Sequence, residues 1–139
     1  MNQNKFTEEL PQPLSNQELI LYFKKWKSGD QNARDIIIEH NRRLVFYVVS
    51  NKFANSNFEK DDLSSVGMIG LIKAVDNFKL ERKTAFSSFA VICITQEILK
   101  FINYEKRQTR YESLGKVLYI DDLGHEFTLE NLIASDTDT

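Results

Sequence analysis

The sequence has one cysteine, two prolines, two histidines and no excess of positive charge. Each shortage excludes something. A single thiol, Cys93, cannot close an internal disulfide, which fits a reducing compartment; its plain reading is a small buried hydrophobe in an apolar run. His40 and His125 are far apart, with no ligand spacing around them. No glycine-rich phosphate loop is present. Asp61-Asp62 is the nearest thing to a carboxylate pair, and a helix start accounts for it. No catalytic residues, no metal site and no cofactor are expected, and the chain reads as a non-enzyme. Eighteen Lys and Arg against 20 Asp and Glu give a formal charge of −2. A protein that holds free duplex DNA by its phosphates is usually strongly basic, so an independent DNA-binding regulator is disfavoured. The N-terminus shows no apolar signal segment, and no run approaches membrane-spanning length. A cytoplasmic protein without a membrane partner is the expectation.

What is present is helical periodicity. The 139 residues suit one domain with a tail. Residues 1–14 are polar, hold both prolines and read as a flexible arm. Ser15-Asn16-Gln17-Glu18 is a capping box, followed by Leu19, Phe23 and Trp26 at helical spacing, with Gly29 placed to end the helix. Asp30 caps a second stretch running through Ala33, Ile37, Val45, Val48 and Val49 towards Phe53. Asp61 or Asp62 caps a third, with Leu63, Val66, Ile69, Leu71, Ile72 and Val75 as its apolar positions. Gly67 and Gly70 inside it suggest a close helix crossing, or else tolerated surface positions. Lys79 to Lys83 is a charged loop, and a long helix is expected from about Thr84 to about Arg107. Beyond it, Lys116 to Ile120 is β-prone and Asp121 to Gly124 is a turn. The domain limits read as 1–14 arm, 15–110 helical region, and 111–139 acidic linker and tail.

The long helix has two faces. Val91, Ile94, Ile98 and Phe101 or Ile102 form an apolar stripe for the core. The opposite stripe runs Phe86, Phe89, Cys93, Gln96, Lys100, Asn103, Arg107. One account is that Phe86 and Phe89 pack under a loop or the first helix. The other is a nucleic-acid surface: rings stack on unpaired bases, amides bond base edges, and basic groups hold phosphates.

Three segments then carry a resemblance: HNRRLVFYVVSNKF, DDLSSVGMIGLIKAVDNF and TAFSSFAVICITQEILKFI. In this order and spacing they resemble the second conserved domain of bacterial RNA polymerase sigma factors, of the sporulation-type branch, over roughly residues 30–110. The resemblance implies an all-α fold, a small helical bundle of sigma domain-two type with an extended or hairpin-like C-terminal linker. It implies a transcription initiation factor that docks on core RNA polymerase and opens the minus-ten promoter element, holding its non-template strand. Asp62, Ser65, Val66, Met68, Ile72 and Lys73 fall at positions that dock on core polymerase. Phe86 and Phe89 fall where rings cradle a flipped adenine, Gln96 and Lys100 where the duplex is contacted, with Asn103 and Arg107 further along the same stripe. Arg43 matches a position near the DNA backbone. Asp121, Asp122 and Glu126 resemble an acidic linker.

Three departures qualify this. The domain that reads the minus-thirty-five element does not follow, so a fragment, a truncated product or half of a split factor is expected, with a separate chain or an anti-sigma factor as further candidate partners. Val91-Ile92-Cys93-Ile94 replaces the family's aromatic or basic residues. The Val49 to Phe53 stretch is one residue longer than the family pattern and lacks one lysine. The competing function is an interaction module that occupies polymerase, or binds an anti-sigma factor, without melting DNA.

Overall fold

A computed structural model describes residues 10–117, and the side chains of residues 10–114. Among the described residues the structure is all-α, with five helices and no strand: α1 Asn16–Lys27, α2 Gln31–His40, α3 Arg42–Lys52, α4 Lys60–Asn77 and α5 Phe86–Val117. Residues 118–139 lie outside the described part, and with them the expected turn, acidic linker and most of the β-prone stretch.

Local chemistry explains the first two helix starts. Ser15 Oγ accepts from the Glu18 backbone N–H at 3.2 Å, and Glu18 Oε1 accepts from the Ser15 backbone N–H at 3.1 Å. The two ends of the box thus satisfy each other's free donors. Asp30 caps α2 by accepting from the Asn32 N–H at 3.0 Å. Gly29 sits between α1 and α2 with φ at +112°, a conformation that a side chain would strain. Ser15→Ala is expected to lower stability by about 1 kcal/mol, measured by chemical denaturation. The box also titrates. Hydrogen bonds from the backbone and then the hydroxyl of Ser15 hold Glu18 below the ordinary 4.5. Its contribution is therefore complete above pH 4.5 and fades as pH falls through the lowered folded value.

Three boundaries differ from expectation. The stretch after Asp30 is two helices, broken at Asn41. There the amide Nδ2 donates back to the Ile37 carbonyl at 2.7 Å, and the backbone N–H bonds Ile38 rather than Ile37. Asparagine offers the chain this alternative to a helical turn. Helix α4 starts from Glu59, so Asp61 and Asp62 lie in its first turn instead of capping it, where the helix dipole still favours them. Helix α5 starts two residues late and runs ten residues past Arg107, taking in Lys116 and Val117. Nothing between Gln108 and Leu114 breaks a helix, and Gln, Arg, Glu and Leu extend one readily.

The described residues fall into two compact units, divided after Leu99. In the first, α1 packs mainly on α2, α3 on α4, and α2 also lies against α4. Phe23, Ile37, Val45, Val48, Leu63, Leu71, Val75, Ile94 and Ile98 are fully buried. Arg34 forks onto Asp76 at 2.8 and 3.1 Å, tying α2 to α4.

The two glycines of α4 mark a close crossing. A Cβ on Gly67 would lie 2.7 Å from Val45 Cγ1 and 3.3 Å from Ile94 Cγ2. On Gly70 it would lie 2.7 Å from Ile94 Cα and 2.8 Å from the Cys93 carbonyl oxygen. Helix α5 therefore rests against the bare backbone of α4. In the second unit, the described part of α5 has Ile102 buried and Phe101 half-buried, with Lys100, Asn103 and Arg107 exposed.

One exclusion needs correcting. By length and composition alone, Phe86–Leu114 is long and apolar enough to cross a membrane. Within residues 86–99, Phe86, Ala90, Ile94 and Ile98 are buried in the bundle, and 28% of the apolar window as a whole is buried.

Candidate nucleic-acid and polymerase interfaces

Five aromatic side chains meet where α1, the 78–85 loop and the start of α5 converge. Phe23, Phe78 and Phe86 form a triangle with ring centroids 5.2–5.4 Å apart. Phe89 joins through Phe78 at 5.7 Å, and Trp26 through Phe23 at 6.2 Å. Edge and tilted contacts of this kind add to the burial of the rings.

Of the two accounts of these rings, packing under the first helix and a loop holds for Phe86. Phe86 is 3% exposed and packs against the first helix and the loop, so it presents no free face to a base. Phe89 is half-buried, and the Arg82 guanidinium lies 4.7 Å from its ring centroid. Arg82 thus covers a face of the Phe89 ring. Arg82 was not singled out from the sequence because it lies in a loop, where periodicity says nothing. Lys27, at the end of α1, reaches the same loop through the Phe78 carbonyl at 3.5 Å.

Further along α5, Gln96 is exposed. At 100° per residue, Ile92 and Cys93 flank the line from Phe89 to Gln96 on either side. The packing against α4 decides between them: Cys93 is half-buried beside Gly70, and Ile92 is 55% exposed. Burial pushes the Cys93 thiol up from its ordinary value, against the pull of Arg82, so the thiol stays protonated at neutral pH. The apolar residue that replaces the family's pattern at the surface is thus Ile92.

Arg43 stands elsewhere. Its guanidinium donates to the carbonyls of Leu10 at 3.0 Å and Pro11 at 3.2 Å, while His40 Nδ1 donates to the Gln12 carbonyl at 2.7 Å. Leu10 is buried. The end of the arm expected to be flexible is therefore held down, and Arg43 is engaged in holding it. A phosphate contact from Arg43 would require those carbonyls to be released.

On α4 the proposed docking residues sort by angle. Asp62, Ser65, Val66, Ile72 and Lys73 lie on one arc of about 120°, opposite the buried Leu63, Gly67, Leu71 and Ala74. Met68 lies off that arc, towards the core side, and is half-buried. Ile69, one of the apolar positions of the helical pattern, lies at the middle of the arc and is 49% exposed. An apolar centre between charged ends is the usual make-up of a protein-binding patch. Lys73 is not unengaged there: its Nζ donates to Glu97 Oε1 on α5 at 2.8 Å.

Comparison with known proteins identifies the family. Residues 37–108 match the Sigma-70 region 2 family. The chain is 36% identical over 128 residues to the RNA polymerase sigma-28 factor of Bacillus thuringiensis subsp. kurstaki, covering 92% of this chain and 54% of that protein. It is 46% identical over 89 residues to the RNA polymerase sigma-F factor of Bacillus subtilis, covering 64% of this chain and 34% of the relative. A putative RNA polymerase sigma-G factor of B. thuringiensis subsp. kurstaki is 40% identical over 113 residues, which is 81% of this chain and 89% of that one. The chain thus spans about half the length of the sigma-28 factor it matches. Its relatives bear the names of sporulation-type sigma factors, and this chain belongs to the Sigma-70 region 2 family.

Proposed function

We propose that this chain acts in transcription initiation, docking on core RNA polymerase and holding the non-template strand of the minus-ten promoter element. The observation that carries the reading is the head of α5: a half-buried Phe89 capped by Arg82, with Gln96 exposed two turns further on. A ring covered by a guanidinium suits a single-stranded segment, because the base takes the ring and the phosphate takes the cation.

The remaining roles follow from position. Asp62, Ser65, Val66, Ile69 and Ile72 make up the polymerase-facing arc, with Met68 at its border; Lys73 lies on the same arc but is engaged by Glu97 of α5. Phe86 acts as the buried support of Phe89. Lys100, Asn103 and Arg107 would meet the duplex. Arg43 joins the DNA backbone only after releasing Leu10 and Pro11. Extruding a base costs a few kcal/mol, roughly what capture on a ring returns. No catalytic group is required of this chain, since polymerase carries the chemistry. The reading also places the protein in the cytoplasm, and a near-neutral charge suits a factor that meets DNA within a larger assembly.

The test is retention of a labelled single-stranded minus-ten oligonucleotide by core polymerase with and without the chain. Retention is expected only when both are present. Binding of polymerase without retention would instead assign the chain to the interaction modules that occupy polymerase. Absence of polymerase binding would overturn the reading altogether.

A further inference from the structure

Glu97 is out of character for its surroundings. It is the sole acidic residue from Phe86 to Tyr104, and it is the sequence neighbour of Gln96 on the helix assigned to promoter DNA. DNA carries a phosphate charge about every 1.7 Å of duplex, and a carboxylate is felt over a Debye length of about 8 Å at physiological salt. Left uncompensated, Glu97 would repel the strand that Gln96 is meant to contact.

The structure shows one cation that compensates it. Lys73 Nζ reaches Glu97 Oε1 at 2.8 Å, with the Glu97 side chain largely covered and Lys73 half-exposed. The reach is set by the backbone. One turn before Lys73, Gly70 lets α5 approach so closely that any Cβ would meet Ile94 Cα. The ammonium therefore arrives beside the carboxylate because the two helices touch there.

We propose that Lys73 serves as a charge mask for the promoter-reading helix: it neutralises Glu97 so that the anionic strand can approach Gln96. The inference rests on the reading of α5 as the DNA-facing helix and gives Lys73 a role separate from direct contact with polymerase. Lys73 is a positioning residue acting through Glu97, and the pair links the polymerase-facing helix to the DNA-facing one. An ion pair with one partner half-exposed adds little to folding stability, so variants of it are expected to fold.

The test uses the chain assembled with core polymerase and a labelled oligonucleotide carrying the minus-ten element, with duplex upstream and the non-template strand single-stranded. Lys73→Gln is expected to weaken oligonucleotide binding about three- to tenfold at low salt, the defect shrinking as salt rises. Glu97→Gln alone is expected to bind at least as tightly as the unmodified chain, and Lys73→Gln/Glu97→Gln to recover its affinity. A direct polymerase contact predicts the reverse pattern: Lys73→Gln loses affinity for core polymerase, and Glu97→Gln restores nothing. That pattern, or a Lys73→Gln variant that binds oligonucleotide normally, overturns the mask. Failure of the unmodified chain to retain the oligonucleotide on polymerase removes the underlying reading and the mask with it.

Discussion

Gly70→Ala is expected to be among the most destabilising single-methyl changes available to this protein, lowering stability by about 3 kcal/mol. In an ordinary helix interior the same change gains up to about 1 kcal/mol, because alanine is the better helix former. Here the sign reverses. The new Cβ would sit 2.7 Å from Ile94 Cα and 2.8 Å from the Cys93 carbonyl oxygen. Both are backbone atoms of α5, so no rotamer change relieves the clash and the helices must separate. Gly67→Ala is the internal control. Its nearest neighbour is a side-chain methyl, Val45 Cγ1 at 2.7 Å, which can yield in part, and a loss of about 1–2 kcal/mol is expected. Urea denaturation of both variants measures this, with the midpoint falling and the slope unchanged. A Gly70→Ala variant as stable as the original would mean that α4 and α5 are not in contact there. A separated pair would also part Lys73 from Glu97, so the stability defect should carry a loss of oligonucleotide retention with it.

That crossing was visible in the sequence only as two glycines three residues apart within a helical pattern. The positions that could be read outright are those whose chemistry is local. Ser15 with Glu18, Asp30 with Asn32, and Gly29 at a left-handed turn all act within three residues of themselves. Asn41 escaped notice because α2 and α3 share one apolar period across the break, and a single back-bonding amide interrupts it. The end of α5 escaped because no breaker lies between Arg107 and Leu114 and the helix carries on through Gly115. Contacts between segments were the hardest to read. Arg82 over Phe89 depends on how the 78–85 loop folds back, and Lys73 with Glu97 spans 24 residues. Ile69 reads in the sequence only as an apolar position of its helix. Its angle on α4, midway between those of Ile72 and Val66, places it on the surface arc.

The same limit governs the two rings at the head of α5, and their separation is the second large effect. Helical period puts Phe86 and Phe89 on one stripe, but Phe78 and Phe23 cover the first of them. Phe86→Ala is expected to lower stability by about 3–5 kcal/mol, as for other fully buried phenylalanines. Any loss of oligonucleotide retention should then follow the unfolded fraction and vanish when measured on the folded part. Phe89→Ala should behave in the opposite way. The ring is half-buried, and it gives up a cation contact worth about 0.5–1 kcal/mol at such a site. Its loss should leave most of the stability in place while reducing retention of the single-stranded minus-ten oligonucleotide by about 1–3 kcal/mol, or roughly five- to 150-fold. Phe89→Leu keeps an apolar side chain of similar reach but removes the aromatic face, so it distinguishes stacking from packing. If Phe89→Leu retains the oligonucleotide as the original does, the ring is not a stacking platform. The exposed Ile92, which lies beside the line from Phe89 to Gln96, would then be the apolar surface that meets the strand.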